Sequence, residues 1–344
     1  MNNALQIEQL KQPVVVTGAL GFIGRRTIDA LLELGATEVI AFDLPGLSMP
    51  TNWKNKVSYI DGDISRQADV ERAMSGARTV IHLAAMVGDW IPLAQHEKVT
   101  VDGSRLLFDA ALKNNTRVIL SSSIVVYADK LTSGPCPEDK TWGNPIGPYS
   151  YCKQKQETLA WDYYNNKNLP LSIVRPANVY GPGSKPWVHD VVDTLKTGSP
   201  MLIDGGDFNA ALVHVDNVVQ LLLLAATKDA ALGQVFNGGD GNDTSWKTYM
   251  SDLAHILDLP APKSAPLWLL NPLSAVIEKA WHLLNIKKRP PLTKEALNLV
   301  GGETILPIDK AKKLLGYQPH VTYSEGLKQV ETYLKNNTET KSIN

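Results

Sequence analysis

Short apolar, β-branched runs alternate along this chain with longer stretches in which apolar residues recur every three or four positions. Residues 14–17, VVVT, form the first run. It breaks into glycine, and Ile23, Ile28, Leu31 and Leu32 then keep a helical period until Gly35. EVIAFDL (38–44) is a second apolar run closed by an acid, so the first 44 residues read as strand, helix, strand. The rhythm continues through VSYIDGD (57–63), ARTVIHLAA (77–85), TRVILSSS (116–123) and LSIVRPANVY (171–180), with helical stretches between. Strands alternating with helices predict an α/β fold, a doubly wound, parallel, Rossmann-type sheet covered on both faces.

After about residue 180 the rhythm loosens. VDNVVQLLLLAAT (215–227) still predicts a helix returning to the sheet, and GQVFNGG (233–239) another strand. The expected organisation is a Rossmann domain over 1–181, completed by about 213–239. Residues 182–212 and 240–335, richer in Pro and Trp, form a smaller substrate lobe, and the tail 336–344, NNTETKSIN, is expected to be disordered.

Composition removes several classes of function. A formal net charge of −1 with no long like-charge run gives no electrostatic reason to bind nucleic acid. Two cysteines, Cys136 and Cys152, make neither a disulfide framework nor a zinc spacing, and seven scattered histidines form no metal cluster. The polar start, MNNALQIEQLKQP, is no signal peptide, and no uncharged apolar run approaches the ~18 residues of a membrane span. The expectation is a reduced, metal-free, cytoplasmic protein acting on a small molecule.

Chemistry enters with TGALGFIG, which places glycines at 18, 21 and 24 between a strand and a helix. Gly18 permits the turn, Gly21 leaves room for a pyrophosphate against backbone N–H groups, and Gly24 lets helix and strand pack closely. The helix N-terminus then turns its positive end toward the phosphates. Asp43 closes the next strand, where an acid accepts ribose hydroxyls and repels a 2′-phosphate. That predicts NAD over NADP, with Arg25 and Arg26 the nearby groups that would favour a phosphate.

A second stretch, PYSYCKQKQE (148–157), contains Tyr-x-x-x-Lys twice, as Tyr149/Lys153 and Tyr151/Lys155. Each pair shares one helix face, but the two are offset by roughly 200°. At most one can face a site.

With these residues in hand, the chain resembles the extended short-chain dehydrogenase/reductases, the NAD-dependent epimerase/dehydratase family that includes nucleotide-sugar epimerases and 3β-hydroxysteroid dehydrogenases. The matching features run in family order: the G-x-x-G-x-x-G loop, with Phe22 and Ile23; Asp63-Ile64; His82-Leu83-Ala84-Ala85; Ser121-Ser122-Ser123; Tyr-x-x-x-Lys; and Arg175-Pro176 through Tyr180-Gly181-Pro182. The resemblance covers roughly residues 13–335. It implies cofactor contacts from Gly18, Gly21, Phe22, Ile23, Gly24, Asp43, Asp63, Ile64, Leu83, Ala84, Ala85, Tyr149, Lys153 and Pro176. It also selects between the tyrosines, because the family pattern has a small residue before the lysine and often a glutamate four after it. Tyr149 has Cys152, Lys153 and Glu157, whereas Tyr151 has Gln154, Lys155 and Leu159. The implied catalytic set is Ser123, Tyr149 and Lys153, with Tyr151, Asn178 and Lys185 lining the substrate.

In that set a phenol of pKa about 10 is a poor base until positive charge lowers it. Lys153, together with the positive nicotinamide ring, is expected to do so, while Ser123 holds the substrate oxygen. Thr100 stands where the family often has asparagine. The triad serves several reactions, so other positions must discriminate. Ile124 and Val125 replace the acids of the family's dehydratases, which disfavours dehydration. Ala210 stands where epimerases often present arginine to a diphosphate, leaving Lys185 or His189 as substitutes.

The segment 266–293 carries Trp268, Leu269, Leu270, Leu273, Ile277, Trp281 and a basic cluster at 287–289. It resembles the C-terminal region of the steroid dehydrogenase and sterol-4-carboxylate dehydrogenase branch. Core packing, a substrate lid and a peripheral membrane contact are three readings of it that the sequence leaves open. The preferred function is an NAD(P)-dependent hydroxyl/ketone oxidoreductase for a hydrophobic or medium-sized, steroid- or lipid-like substrate. A nucleotide-sugar 4-epimerase is the alternative, and a non-catalytic dinucleotide sensor stands behind both. The family resemblance further implies a homodimer through helices near 94–113 and 150–167.

Overall fold

The computed structural model describes residues 7–342, with side chains as far as 336. In chain order the strands are β1 (Val14–Thr17), β2 (Val39–Asp43), β3 (Val57–Asp61), β4 (Thr79–His82), β5 (Arg117–Ser121), β6 (Leu171–Pro176), β7 (Asn178–Tyr180), β8 (Leu202–Ile203), β9 (Leu212–His214), β10 (Gln234–Gly238) and β11 (Ser264–Ala265). The α-helices are α1 (Phe22–Glu33), α2 (Gln67–Met74), α3 (Leu93–His96), α4 (Gly103–Asn114), α5 (Pro148–Lys167) and α6 (Asp190–Thr197) in the first half. They continue with α7 (Val215–Thr227), α8 (Trp246–Ile256), α9 (Leu267–Leu283), α10 (Lys294–Val300), α11 (Asp309–Leu315) and α12 (Tyr323–Ser342).

Seven strands pair in the order β10-β6-β5-β4-β1-β2-β3, every pair parallel. This is the expected Rossmann-type sheet. Its central strands are buried on both faces, which is why VVVT and TVIH read as unbroken apolar runs. One apolar layer joins Val14, Val16, Ile28 and Leu31 to the Leu221–Leu224 run of α7. The other joins Val15, Val80 and Leu120 to Leu107, Phe108 and Tyr163 on α4 and α5. The strand order reverses between β1 and β4, so a crevice opens at the C-terminal ends of β1, β4 and β5.

The run 171–180 is not one strand. Pro176 is the last residue of β6, and Asn178–Tyr180 leave the large sheet to pair with β9. Proline has no N–H to extend a ladder, and Ala177 N instead donates to Gly238 O at 2.9 Å. The smaller lobe has its own core, in which Val188, Val191, Trp246, Tyr249, Val330 and Leu334 meet. Helix α12 brings Val330 and Leu334 there and runs on to Ser342; 343–344 lie outside the described residues.

Candidate active site

Gly18 turns the chain off β1 with φ +65°, and a Cβ there would sit 3.0 Å from the Ala84 nitrogen. At Gly24 a Cβ would lie 2.1 Å from the Gly18 oxygen, so α1 can approach β1 only without a side chain. Gly21, the N-cap of α1, offers no side chain to the first-turn amides. These donors are left for an anion, which is the fit a dinucleotide pyrophosphate requires. Asp43 holds the loop in place by accepting from Leu20 N at 2.7 Å and from Leu44 N at 2.8 Å. Arg25 donates to Leu20 O, and Arg26 pairs with Asp216 at 2.7 Å. Both guanidinium groups are committed to the protein.

Ser123 follows β5, and Tyr149 lies in the first turn of α5 behind Pro148, whose fixed φ suits a helix start. The two hydroxyls hydrogen-bond each other. Burial pushes the Tyr149 phenol up to about 12; the Ser123 bond lowers it and Glu295 raises it. Lys153, one turn further on, is buried and donates to Ser121 O at 3.0 Å and to Gln156 Oε1 at 2.9 Å. Its burial lowers its pKa to about 8, with Glu157 pulling upward. Glu157 is held by a buried bidentate pair with Arg175, closest at 2.7 Å, so this acid anchors α5 to β6.

Behind Lys153 runs a polar chain whose direction follows from donor and acceptor counts. The Thr17 hydroxyl accepts from Leu83 N and Ala84 N, so its own proton goes to His82 Nδ1 at 2.8 Å. His82 therefore carries its proton on Nε2 and gives it to Ser104 at 3.0 Å. Burial keeps this imidazole neutral, with a pKa lowered to about 3. Ser104 donates to Thr100 O at 2.5 Å and also accepts from Gln156 Nε2 at 2.8 Å. Gln156 thus turns its oxygen to Lys153 and its amide to Ser104. The segment Glu97–Asp102 that presents the Thr100 carbonyl is a π-helical turn, a departure concentrated at functional sites. Thr100 also accepts from Met86 N through its hydroxyl at 3.1 Å.

The smaller lobe reaches into this region. Gly147, the N-cap of α5, has no side chain; the Glu295 carboxylate occupies that place and accepts from Ser150 N at 2.7 Å and from Tyr149 N. Its second oxygen is buried without a partner among the described residues. Arg289 pairs with Asp89 at 2.5 Å, Thr293 donates to Asp89, and Trp90 stacks on His282 with centroids 4.5 Å apart. His96, fully buried, sets its ring 6.0 Å from that of Tyr149 and donates Nε2–H to Gly88 O.

A model of the NAD-dependent epimerase/dehydratase family matches residues 14–239, from the first strand to the last of the large sheet. The chain belongs to that family. It is an NAD-dependent oxidoreductase of the extended short-chain dehydrogenase/reductase type. The chain is 28% identical over 339 residues to a sterol-4-alpha-carboxylate 3-dehydrogenase, decarboxylating, from Mus musculus, covering 94% of this chain and 91% of that one. It is 25% identical to a Stigmatella aurantiaca ketoreductase of a 4-hydroxy-2-methyl-3-oxo-4-farnesyl-3,4-dihydroquinoline-1-oxide, covering 91% and 93%. Among solved structures, a UDP-glucose 4-epimerase from Thermotoga maritima, determined with UDP-glucose, superposes with a TM-score of 0.75 at 26% identity, covering 94% and 99%.

Within this family frame, the remaining candidates separate into two groups. Gly18, Gly21, Phe22, Ile23 and Gly24 share the loop and first turn of α1, with Leu83, Ala84 and Ala85 leaving β4 beside them. Asp63 accepts from Ser65 N at 2.8 Å, Ile64 packs against Gly103, and Pro176 ends β6. The second tyrosine pair looks elsewhere. Lys155 lies over the Tyr151 ring and pairs with Glu97 at 2.9 Å on the surface. Asn178 is buried and donates to Ala210 O, while Lys185 is exposed and paired with Asp190 at 2.6 Å. Sequence reading missed Gln156, Ser104, His96 and Glu295. Only Gln156 carried a signal, its i+3 spacing from Lys153.

Proposed function

We propose that this enzyme interconverts a secondary hydroxyl and a ketone on a hydrophobic, steroid- or lipid-like substrate, with Tyr149 as acid/base and NAD in preference to NADP. The observation that carries the substrate class is that, among the described residues, none of the three positions weighed for a diphosphate partner offers an uncommitted cation. Ala210 is buried and apolar, Lys185 is neutralised by Asp190, and the alternative His189 bonds the Tyr333 hydroxyl at 3.0 Å. Burying a diphosphate against these positions would cost several kcal/mol of unpaid desolvation. The sterol dehydrogenase and farnesyl-quinoline ketoreductase relatives fit the same class.

Bound NAD supplies the hydride acceptor and, when oxidised, a positive ring. The chain supplies the rest. Ser123 donates to the substrate oxygen and aligns it with the phenol. Tyr149 takes the hydroxyl proton in oxidation and returns one in reduction, and Lys153, while protonated, adds positive charge to favour phenolate. The commitment of Arg25 and Arg26, with Asp43 at the end of β2, supports NAD.

The test is cofactor-coupled turnover on hydrophobic secondary alcohols and ketones, followed in the reduced-nicotinamide absorbance band. Stoichiometric change in NADH is expected, together with a loss of about 10³-fold in Tyr149→Phe at unchanged NAD affinity. Conversion of a UDP-hexose with no net NADH would instead establish the epimerase reading.

A further inference from the structure

Helix α9 keeps its polar residues, Asn271, Glu278, Lys279 and His282, to one sector and is apolar over the rest of its circumference, yet only one side of it packs. Leu270, Ile277 and Trp281 are half-buried, and Ser274 is its only fully buried residue. At 100° per residue, Trp268, Leu269, Leu273, Val276, Leu283 and the following Leu284 fall within an arc of roughly 160° on the opposite side. All six are exposed, Trp268 by 76%, Val276 by 65% and Leu283 by 85%. A surface helix of a water-soluble protein carries polar residues there. A continuous apolar stripe some four turns long marks an interaction surface.

Charge identifies what it meets. Lys279 projects from the edge of the stripe, and Lys287 and Lys288 follow its end; all three are exposed and none joins an ion pair among the described residues. The single acid in 266–288, Glu278, accepts from Lys294 N on another element. A second copy of this face would bring like charges together with no acid to neutralise them. We propose that α9 seats the protein on an anionic lipid surface, with its apolar stripe at the acyl boundary and Lys279, Lys287 and Lys288 among the headgroups. Helix α9 then lies in the plane of the interface, since no described helix is long and apolar enough to cross a membrane.

The location gives this surface a use. The end of α9 and its following loop pack on the segment after β4, where Trp90 meets His282 and donates to Ile286 O, and Asp89 meets Arg289. The helix that carries the stripe is thus anchored at its C-terminal end to the segment leaving β4 beside the candidate site. Membrane binding itself does not depend on the substrate proposed above, so the two ideas fail separately.

The experiment is cosedimentation of the full chain with phosphatidylcholine vesicles, with and without about one third phosphatidylglycerol. Binding is expected to the anionic vesicles, about tenfold weaker to the neutral ones, and weakened by salt. Val276→Asp with Leu283→Asp should lower it at least about tenfold, as should Lys287→Glu with Lys288→Glu. Because these side chains are exposed, thermal unfolding and NAD affinity should match the parent protein. If either pair unfolds, the single substitutions Val276→Asp and Lys288→Glu must each still weaken binding. No binding to either vesicle, binding that ignores both pairs, or a concentration-dependent dimer abolished by Val276→Asp in place of lipid binding would each overturn the proposal.

Discussion

Lys153 serves the proposed reaction only while it is charged, and its burial makes that charge conditional. Desolvation lowers its pKa from 10.5 to about 8, so the ammonium is present below that pH and lost above it. The kcat/KM for ketone reduction should therefore fall as pH rises through about 8. Gln156 Oε1 accepts from the ammonium and so favours the charged form. Replacing it by leucine should move this limb to lower pH, and Gln156→Glu should move it up by about one unit, worth about 1.4 kcal/mol. The paired, opposite shifts distinguish an electrostatic role from simple loss of packing. A limb that ignores both substitutions belongs to Tyr149. For stability the same displacement has the opposite sign. Between about pH 8 and 10.5 the unfolded chain binds the proton that the folded one releases, so this group's contribution to stability rises across that window.

At the scale of elements, α5 depends on a cap from the other lobe. Gly147 cannot cap it, and Glu295 accepts from the Tyr149 and Ser150 amides in its place. Glu295→Ala should cost about 1–2 kcal/mol of stability, read from denaturant midpoints, because two helix-end donors lose their acceptor. Glu295→Gln keeps an acceptor and deletes a negative charge that raises the Tyr149 pKa, so its acid–base limb should shift to lower pH with stability largely retained. The groups facing that phenol, Ser123 and His96, stay unchanged in both variants. Equal losses in both, with no shift of the limb, would make Glu295 a packing residue only. None of this was legible in the sequence. The strands of the large sheet and the glycine turn after β1 were, because each depends on local period or short spacing. Glu295 meets Ser150 across 145 residues, and a glycine N-cap gives no sign that its partner comes from elsewhere. The break at Pro176 was equally hidden, since β6 and β7 are both apolar and only their pairing partners differ.

At the scale of the molecule, Asp89 adds a second carboxylate tie, beside Glu295, between the smaller lobe and the rim of the site. Periodicity could not reveal this for 266–293, because the apolar arc of α9 is wider than the side that packs and does not declare which part of it faces out. The structure turns Trp268, Leu269 and Leu273 outward and leaves the following loop to hold Asp89. Burial disfavours the charge on Asp89, but the hydrogen bonds from Arg289 and Thr293 outweigh it and keep the pKa below its ordinary value. Its contribution is thus present at neutral pH and lost as pH falls through that lowered value. Arg289 remains half-exposed, which limits the pair to about 1 kcal/mol. Asp89→Asn keeps the shape and removes the charge, so the rim should loosen without disturbing Ser123, Tyr149 or the glycine loop. The expected result is a KM for the hydrophobic substrate raised about fivefold, with kcat and NAD affinity nearly unchanged. Steady-state kinetics with independent NAD titration would check it. A matching fall in kcat would mean that the Asp89–Arg289 tie positions the reacting groups themselves, and that the two lobes act as one unit during the chemical step.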